Sequence, residues 1–329
     1  MDANELIERY ALGERNFSGV NLIGVNLENV HLDKANFSGA YLGATNLSRA
    51  HLTGVNFEGA FLHRANLSFA KLNEAVLTNA DLTKVNLKGA YLIKSVLKGT
   101  KLSGAILTAV NLRLANLEGI NLCGADLRGV NLRSANLSYA NLNWANLTGA
   151  RLSGAILQGA SLNGVKLSEA LLNGVDLSGM ELEGVNFSNS KLSGTNLTGS
   201  NLSASNFTNC QLRVSLLSRS NLHAANLTGA VLSKADLCEA DLSKADLTMA
   251  TLIEADLTGA KLNMANLSEA DLSDSSLRKA YLWGANLKVA ELRGADLRGA
   301  SLRGAYLHGA DWRDAILTGT TMPDGSLHE

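Results

Sequence analysis

A Leu, Phe or Trp occupies every fifth position from Phe17 to Leu317, 61 in succession without an insertion or deletion. A period of five matches neither the roughly 3.6 residues of a helical turn nor the roughly 2 of a long strand. Each repeat must therefore be a short extended piece followed by a bend that restores the phase, and the chain coils. The position two before the large residue is nearly always small, as in Ala35-Asn36-Phe37-Ser38-Gly39 and Ala255-Asp256-Leu257-Thr258-Gly259, so two side chains in five point inward. Of the 61 positions two after the large residue, 28 are Gly, which suits a corner that needs positive φ. Pro323 is the only proline, as expected where nearly every backbone N–H serves as a ladder donor.

The sequence also sets the number of repeats per turn, because equivalent corners of successive turns stack and tend to carry like residues. Phe17, Phe37 and Phe57 are spaced by 20, and so are Phe187 and Phe207, while positions 27 and 47 are Leu. Four repeats per turn put these rings in two stacked ladders; a ten-residue turn breaks them. Sorted in the same register, the column beginning at Asn26 is Asn or Asp in 12 of 15 turns, and the column beginning at His31 in only 4 of 15, so the four sides differ.

The chain resembles the pentapeptide-repeat proteins, whose motif runs small, Asn/Asp, Leu/Phe, Ser/Thr/Arg, Gly, and the resemblance spans residues 15 to 320. It implies an all-β fold: a right-handed quadrilateral β-helix solenoid of about 15 turns of 20 residues. At about 4.8 Å per turn the coil is roughly 70 Å long. Glu5 to Phe17 and the closing Met322-Pro323-Asp324-Gly325 resemble the ends of cyanobacterial members. Three segments are expected: an N-terminal helical cap (1–14), one continuous repeat body (15–320) and a tail (321–329). Asp2 with Glu5 reads as a capping box, Leu6/Tyr10 and Ile7/Ala11 as apolar pairs, and Gly13 as the stop of a short helix that closes the first turn. The expected core ladder includes Phe17, Phe37, Phe57, Leu102, Leu157, Phe187, Phe207, Leu262 and Trp312. Trp312 either plugs the far end, or the bare last turn pairs with a second molecule. Ile120 and Met180 are oversize for the small inward column and should bow the wall. Between Ser190 and Ser220 that column is mostly Ser and Thr, which reads as packing compensation or as a bend or docking point.

With 29 Lys plus Arg against 30 Asp plus Glu, the net charge is −1, and no global field favours nucleic acid or a membrane surface. No long apolar run is present, and charges crowd the first fifteen residues, so a cytoplasmic location is the expectation. Cys123, Cys210 and Cys238 fall on different columns, and neither a disulfide nor a metal pair is expected of them. His31 and His51, twenty apart, stack on one outer column followed by Lys71; two imidazoles alone leave a zinc ion two ligands short, so no metal and no cofactor are expected. With no irregular loops between residues 15 and 320, the chain offers no pocket on which catalytic groups converge, and an enzyme or small-ligand role is disfavoured.

The outward residues carry what remains. Tyr41 and Phe61 share a column, Val76 and Val96 stack on the preceding side, and Tyr91 and Ile93 lie nearby, an apolar patch of the kind that marks partner surfaces. Tyr139 with Trp144 is a second candidate. Residues 231–275 carry nine acids against three lysines, and residues 276–315 seven bases against four acids. These bands either attract a second molecule or neutralise each other along the stack. The leading function is a non-enzymatic interaction rod with a protein partner, either monomeric or an end-to-end C-terminal homodimer. The resemblance also implies an alternative, a strongly acidic rod that imitates duplex DNA and modulates a type II topoisomerase such as gyrase. Imitation needs about one negative charge per 1.7 Å of axis, and a near-neutral chain departs from that pattern.

Overall fold

The computed structural model describes all 329 residues. The chain forms two compact units, Met1–Val165 and Lys166–Glu329. In a solenoid each turn touches only its neighbours, so a unit can end at any turn while the five-residue beat runs on unchanged.

In the first unit, residues twenty apart pair in parallel: Asn16 with Asn36, Asn21 with Tyr41, Asn26 with Asn46 and His31 with His51, and so on to Asn141 with Ser161. Four such columns recur in every twenty residues. A rung holds by main-chain bonds such as Leu32 N–H to His51 O (2.9 Å), Lys34 N–H to Thr53 O (2.8 Å) and His51 N–H to Val30 O (2.8 Å). Between rungs the chain turns: the carbonyl of each large residue accepts from the N–H three residues on, as Leu42 O does from Thr45 N (3.2 Å). The third residue of that turn is left-handed at all 61 corners, 28 glycines and 33 others with φ between 50° and 61°. Position, not residue type, sets the conformation; even the β-branched Val214 adopts it, at φ 50°.

The Asn/Asp preference has a local cause. The side-chain oxygen of that residue accepts the N–H two residues on, an Asx turn that fixes the bend; Asn46 Oδ1 accepts from Ser48 N (3.2 Å) and Ser48 Oγ (2.8 Å). Its amide also bonds up and down the column, Asn46 to Asn26 (2.9 Å), Asn66 to Asn46 (3.1 Å) and Asn86 to Asn66 (3.2 Å).

One position in the first unit skips its partner, because Lys101 and Asn121 do not bridge. Ile120, the oversize inward residue, is buried immediately before it. The parted rungs leave a cavity of about 240 Å³ lined by Leu102–Ala105 and Asn121–Asp126.

The first turn is closed by helix α1, Ala3–Ala11, with Asp2 accepting from Glu5 N (2.9 Å) and Gly13 at φ +97° behind its C-terminus. Leu6 is fully buried, Arg9 lies 5.8 Å over the Phe17 ring, and Tyr10 Oη donates to Asp33 O (3.0 Å). The expected Ile7/Ala11 pair faces solvent instead, Ile7 being 45% exposed, because one helical stripe suffices to cover one turn.

The second unit repeats the pattern from Lys166 paired with Asn186 to Ser301 paired with Thr321. Phe187 and Phe207 stack at 4.8 Å and 6°, as Phe17, Phe37 and Phe57 do in the first unit at 5.5 and 5.7 Å. The inward Ser and Thr hydroxyls are all bonded to carbonyls, Ser190 to Leu167 O (2.5 Å), Ser205 to Leu182 O (2.6 Å) and Ser215 to Leu212 O (2.6 Å). Met180, the other oversize residue, is half-buried.

Every large residue from Phe17 to Leu302 is buried, including Leu102, Leu157 and Leu262. Trp312 departs from its expected place in the ladder: it is 39% exposed, and Leu307 and Leu317 are half-buried. No further turn lies over it, so an inward direction no longer means burial. The tail forms a small hairpin, Thr321 pairing antiparallel with Leu327 and Gly319 N–H bonding His328 O (2.7 Å). It does not cover Trp312.

Candidate interaction surfaces

With the Leu ladder turned inward, the chemistry of each unit lies on the columns that face out. Tyr41 and Phe61 bridge directly, their rings 5.0 Å apart and 7° from parallel, each nearly half exposed. Val76 and Val96 bridge on the adjacent column and are half-buried. Tyr91 is exposed but belongs to the His31–His51–Lys71 column. The valine column therefore stands between Tyr91 and the Tyr41/Phe61 pair, and the five residues do not lie on one column.

Tyr139 and Trp144, 64% and 70% exposed, are corner residues at φ +59° and +61°. Each ring lies over the corner glycine of the next turn; a methyl added at Gly159 would come within 2.6 Å of Tyr139 Cδ1, and Gly164 is covered in the same way by Trp144. Phe69 over Gly89 repeats the arrangement. A large ring at a corner is accommodated by a glycine twenty residues on, a rule that the sequence contains.

Outward residues two apart flank one inward Leu and share a face, and sequence reasoning missed two groups of this kind. Tyr281 and Trp283, both 54% exposed, flank Leu282. Asp33 flanks Leu32 with His31, so the histidine pair has an acidic neighbour: donor atoms of His31, Asp33 and His51 all lie within 4.8 Å of one another. The imidazole rings are 4.0 Å apart at a 46° tilt, and Lys71 Nζ lies 3.2 Å from His51 Nε2. Partial burial, with His31 and Lys71 alongside, pushes the His51 imidazole below its ordinary range, opposed by Asp33.

The charge bands pair locally. In the acidic stretch, Glu254 meets Lys234 (3.2 Å) and Glu239 meets Arg219 (2.8 Å). Other acids serve as turn acceptors, Asp246 for Thr248 N (3.0 Å) and Asp256 for Thr258 N (2.9 Å). In the basic stretch, Arg298 clasps Asp296 (2.6 Å) and Arg313 clasps Asp311 (2.5 Å); the bond to Arg313 holds Asp311 down to about 2. The surface is not featureless: an open concavity of about 600 Å³ in the second unit is bordered by Glu183, Arg219, His223, Glu239, Asp241 and Lys261. Of the thiols, Cys123 is exposed and Cys238 half-buried, while burial pushes Cys210 up to about 12.

The sequence profile of the family described as Pentapeptide repeats (8 copies) matches in overlapping stretches from 16–49 to 140–179 and again from 181–219 to 295–328. The chain belongs to the pentapeptide repeat family. Pairing at twenty residues agrees with the four-sided β-helix of that family. Among solved structures, this pentapeptide repeat chain is similar to HetL, a pentapeptide repeat protein involved in heterocyst differentiation regulation from the cyanobacterium Nostoc sp. strain PCC 7120. The two are 29% identical over 100% of both chains, with a TM-score of 0.21. It is similar to Rfr23 of the cyanobacterium Cyanothece 51142 at 31% identity over 36% of this chain and 64% of that one, TM-score 0.19. QnrB1, a plasmid-mediated fluoroquinolone resistance protein, is 18% identical over 60% of this chain and 90% of that one, TM-score 0.33. At such scores the family assignment rests on the repeat match. A comparison with curated proteins gives no match. No helix is long and apolar enough to cross a membrane.

Proposed function

We propose that this pentapeptide repeat protein is a non-enzymatic scaffold that binds a protein partner through its outward columns. The coil we envisage is right-handed and four-sided, of about 15 turns, in a cytoplasmic chain that is monomeric or joined end to end at the C-terminal turn. One observation carries the reading: Tyr41 and Phe61 hold two large aromatic faces, 45% and 46% exposed, outside the inward ladder. The inward ladder is complete without these rings, and exposed apolar area on a rigid surface gains most when a partner covers it. Val76 and Val96 widen the site; Tyr91, Tyr139 and Trp144 offer further contacts on other columns and corners. The local pairing of the charge bands supports this reading over imitation of DNA, since many of the acids already answer to Arg, Lys or a turn N–H.

Pull-down from a native lysate tests it with wild type and the Tyr41→Glu/Phe61→Glu double variant. Loss of a specific protein from the variant lane is expected, and recovery of the same set by both refutes the patch. In parallel, supercoiling by gyrase is expected to be unchanged by the purified protein; inhibition there overturns the reading in favour of the topoisomerase alternative.

A further inference from the structure

We propose that His31, Asp33 and His51 form a binding site for a borderline divalent transition-metal ion such as zinc, on the outer face of the first two turns. The residues reach one face by the rule of the fold. His31 and Asp33 flank the inward Leu32, and His51 bridges His31 from the next rung. Their donor atoms lie within 4.8 Å of one another. Ligands on a tetrahedral ion at about 2.0–2.1 Å stand about 3.4 Å apart, so the donors have to close by at most about 1.4 Å to share one.

Two details go beyond proximity. Parallel rings direct their in-plane lone pairs side by side, and such rings cannot share an ion. The stacked aromatic pairs are parallel to within 6–7° (Tyr41–Phe61, Phe187–Phe207) or 21–26° (Phe17–Phe37, Phe37–Phe57), whereas His31 and His51 are tilted by 46°, so their ring planes intersect. The carboxylate is already anchored, Asp33 Oδ1 accepting from Thr53 N (2.6 Å) and leaving Oδ2 for the ion. A ligating carboxylate held by an outer hydrogen bond is the usual supporting arrangement of a metal site. Two imidazoles and one carboxylate suit zinc, with water completing the shell. Lys71 is the competitor, because its Nζ sits 3.2 Å from His51 Nε2 and holds that nitrogen as an acceptor. The ion must displace this contact or use the other ring nitrogen.

Titration calorimetry with zinc alone at neutral pH tests the site on the full chain. Wild type is compared with His31→Ala, His51→Ala, Asp33→Asn and Lys71→Met, and His63→Ala serves as a control outside the cluster. Each of the three ligand variants is expected to weaken binding at least about tenfold, the smallest loss usually seen when even an outer partner of a ligand is changed. Lys71→Met is expected to tighten it, and His63→Ala to leave it unchanged. Cobalt gives a second readout: wild type should show the intense visible absorption of a four-coordinate site, and His51→Ala should lose it. Zinc binding that is absent in wild type, unaffected by the ligand variants, or dependent on the histidines but not on Asp33 overturns the three-ligand site.

Discussion

Phe187 and Phe207 allow the stacked interior to be weighed directly. Both rings are fully buried in the second unit, 4.8 Å apart and 6° from parallel. Leu fills nearly every other large inward position, so Phe→Leu keeps the column apolar and removes mainly the ring contact and a small volume. Each single change should cost about 1–2 kcal/mol, of the order of one or two buried methylenes. The second change has no stack left to break. A double-mutant cycle should therefore return a coupling of about 0.5–1.5 kcal/mol, the range for aromatic pairs beyond their burial. Phe187→Leu with Leu262→Val is the control: the two sites are three to four rungs apart, about 15–19 Å at the inter-strand spacing, and should add. Urea unfolding followed by far-ultraviolet circular dichroism measures all four corners of each cycle. Strict additivity for the Phe pair, or equal coupling in the control, refutes the argument that rung-to-rung ring contact holds the column.

Three further outcomes follow from burial and charge. Leu157→Arg places a charge at a ladder position only 3% exposed, a loss of several kcal/mol; the first unit should lose its cooperative melt, and a wild-type-like transition refutes the burial. A thiol reagent at neutral pH should modify exposed Cys123 first and Cys238 more slowly, and Cys210 only after denaturation, because the thiolate is the reactive form and the Cys210 thiol is pushed up to about 12. Asp311 is held at about 2 against an ordinary 3.8, chiefly by its hydrogen bond to Arg313. A carboxylate with a depressed value in the folded chain stabilises above its unfolded value and loses that contribution as pH falls through the folded one. The pair should weaken between about pH 4 and 2, and Arg313→Ala should move the Asp311 carbon titration up toward the ordinary range, the backbone N–H of residue 313 and Arg293 still holding it partly down; an unchanged midpoint rejects the pairing.

The repeat was legible because its cause is local. A large residue every fifth position and a bend two residues later require no tertiary information, and the spacing of Phe17, Phe37 and Phe57 already carried the twenty-residue pairing. Trp312 was not legible, because its burial depends on a turn that would have to lie beyond it, and the beat continues whether or not that turn exists. On the surface, columns were readable from the register, so Tyr41 was correctly set against Phe61. Neighbours across a single Leu were overlooked, and Asp33 beside His31 and Trp283 beside Tyr281 went unseen.

The left-handed corners set how such a chain can diversify. Placing a non-glycine residue there costs about 1 kcal/mol or more, and 33 of 61 corners carry that strain without altering the turn. The geometry depends little on which side chain is present, since Val214, Trp144 and Lys234 adopt nearly the same φ. Mutation can thus rewrite what the molecule displays at its edges while the path of the main chain stays indifferent, provided that a large ring at one bend is matched by a small residue at the bend stacked above it.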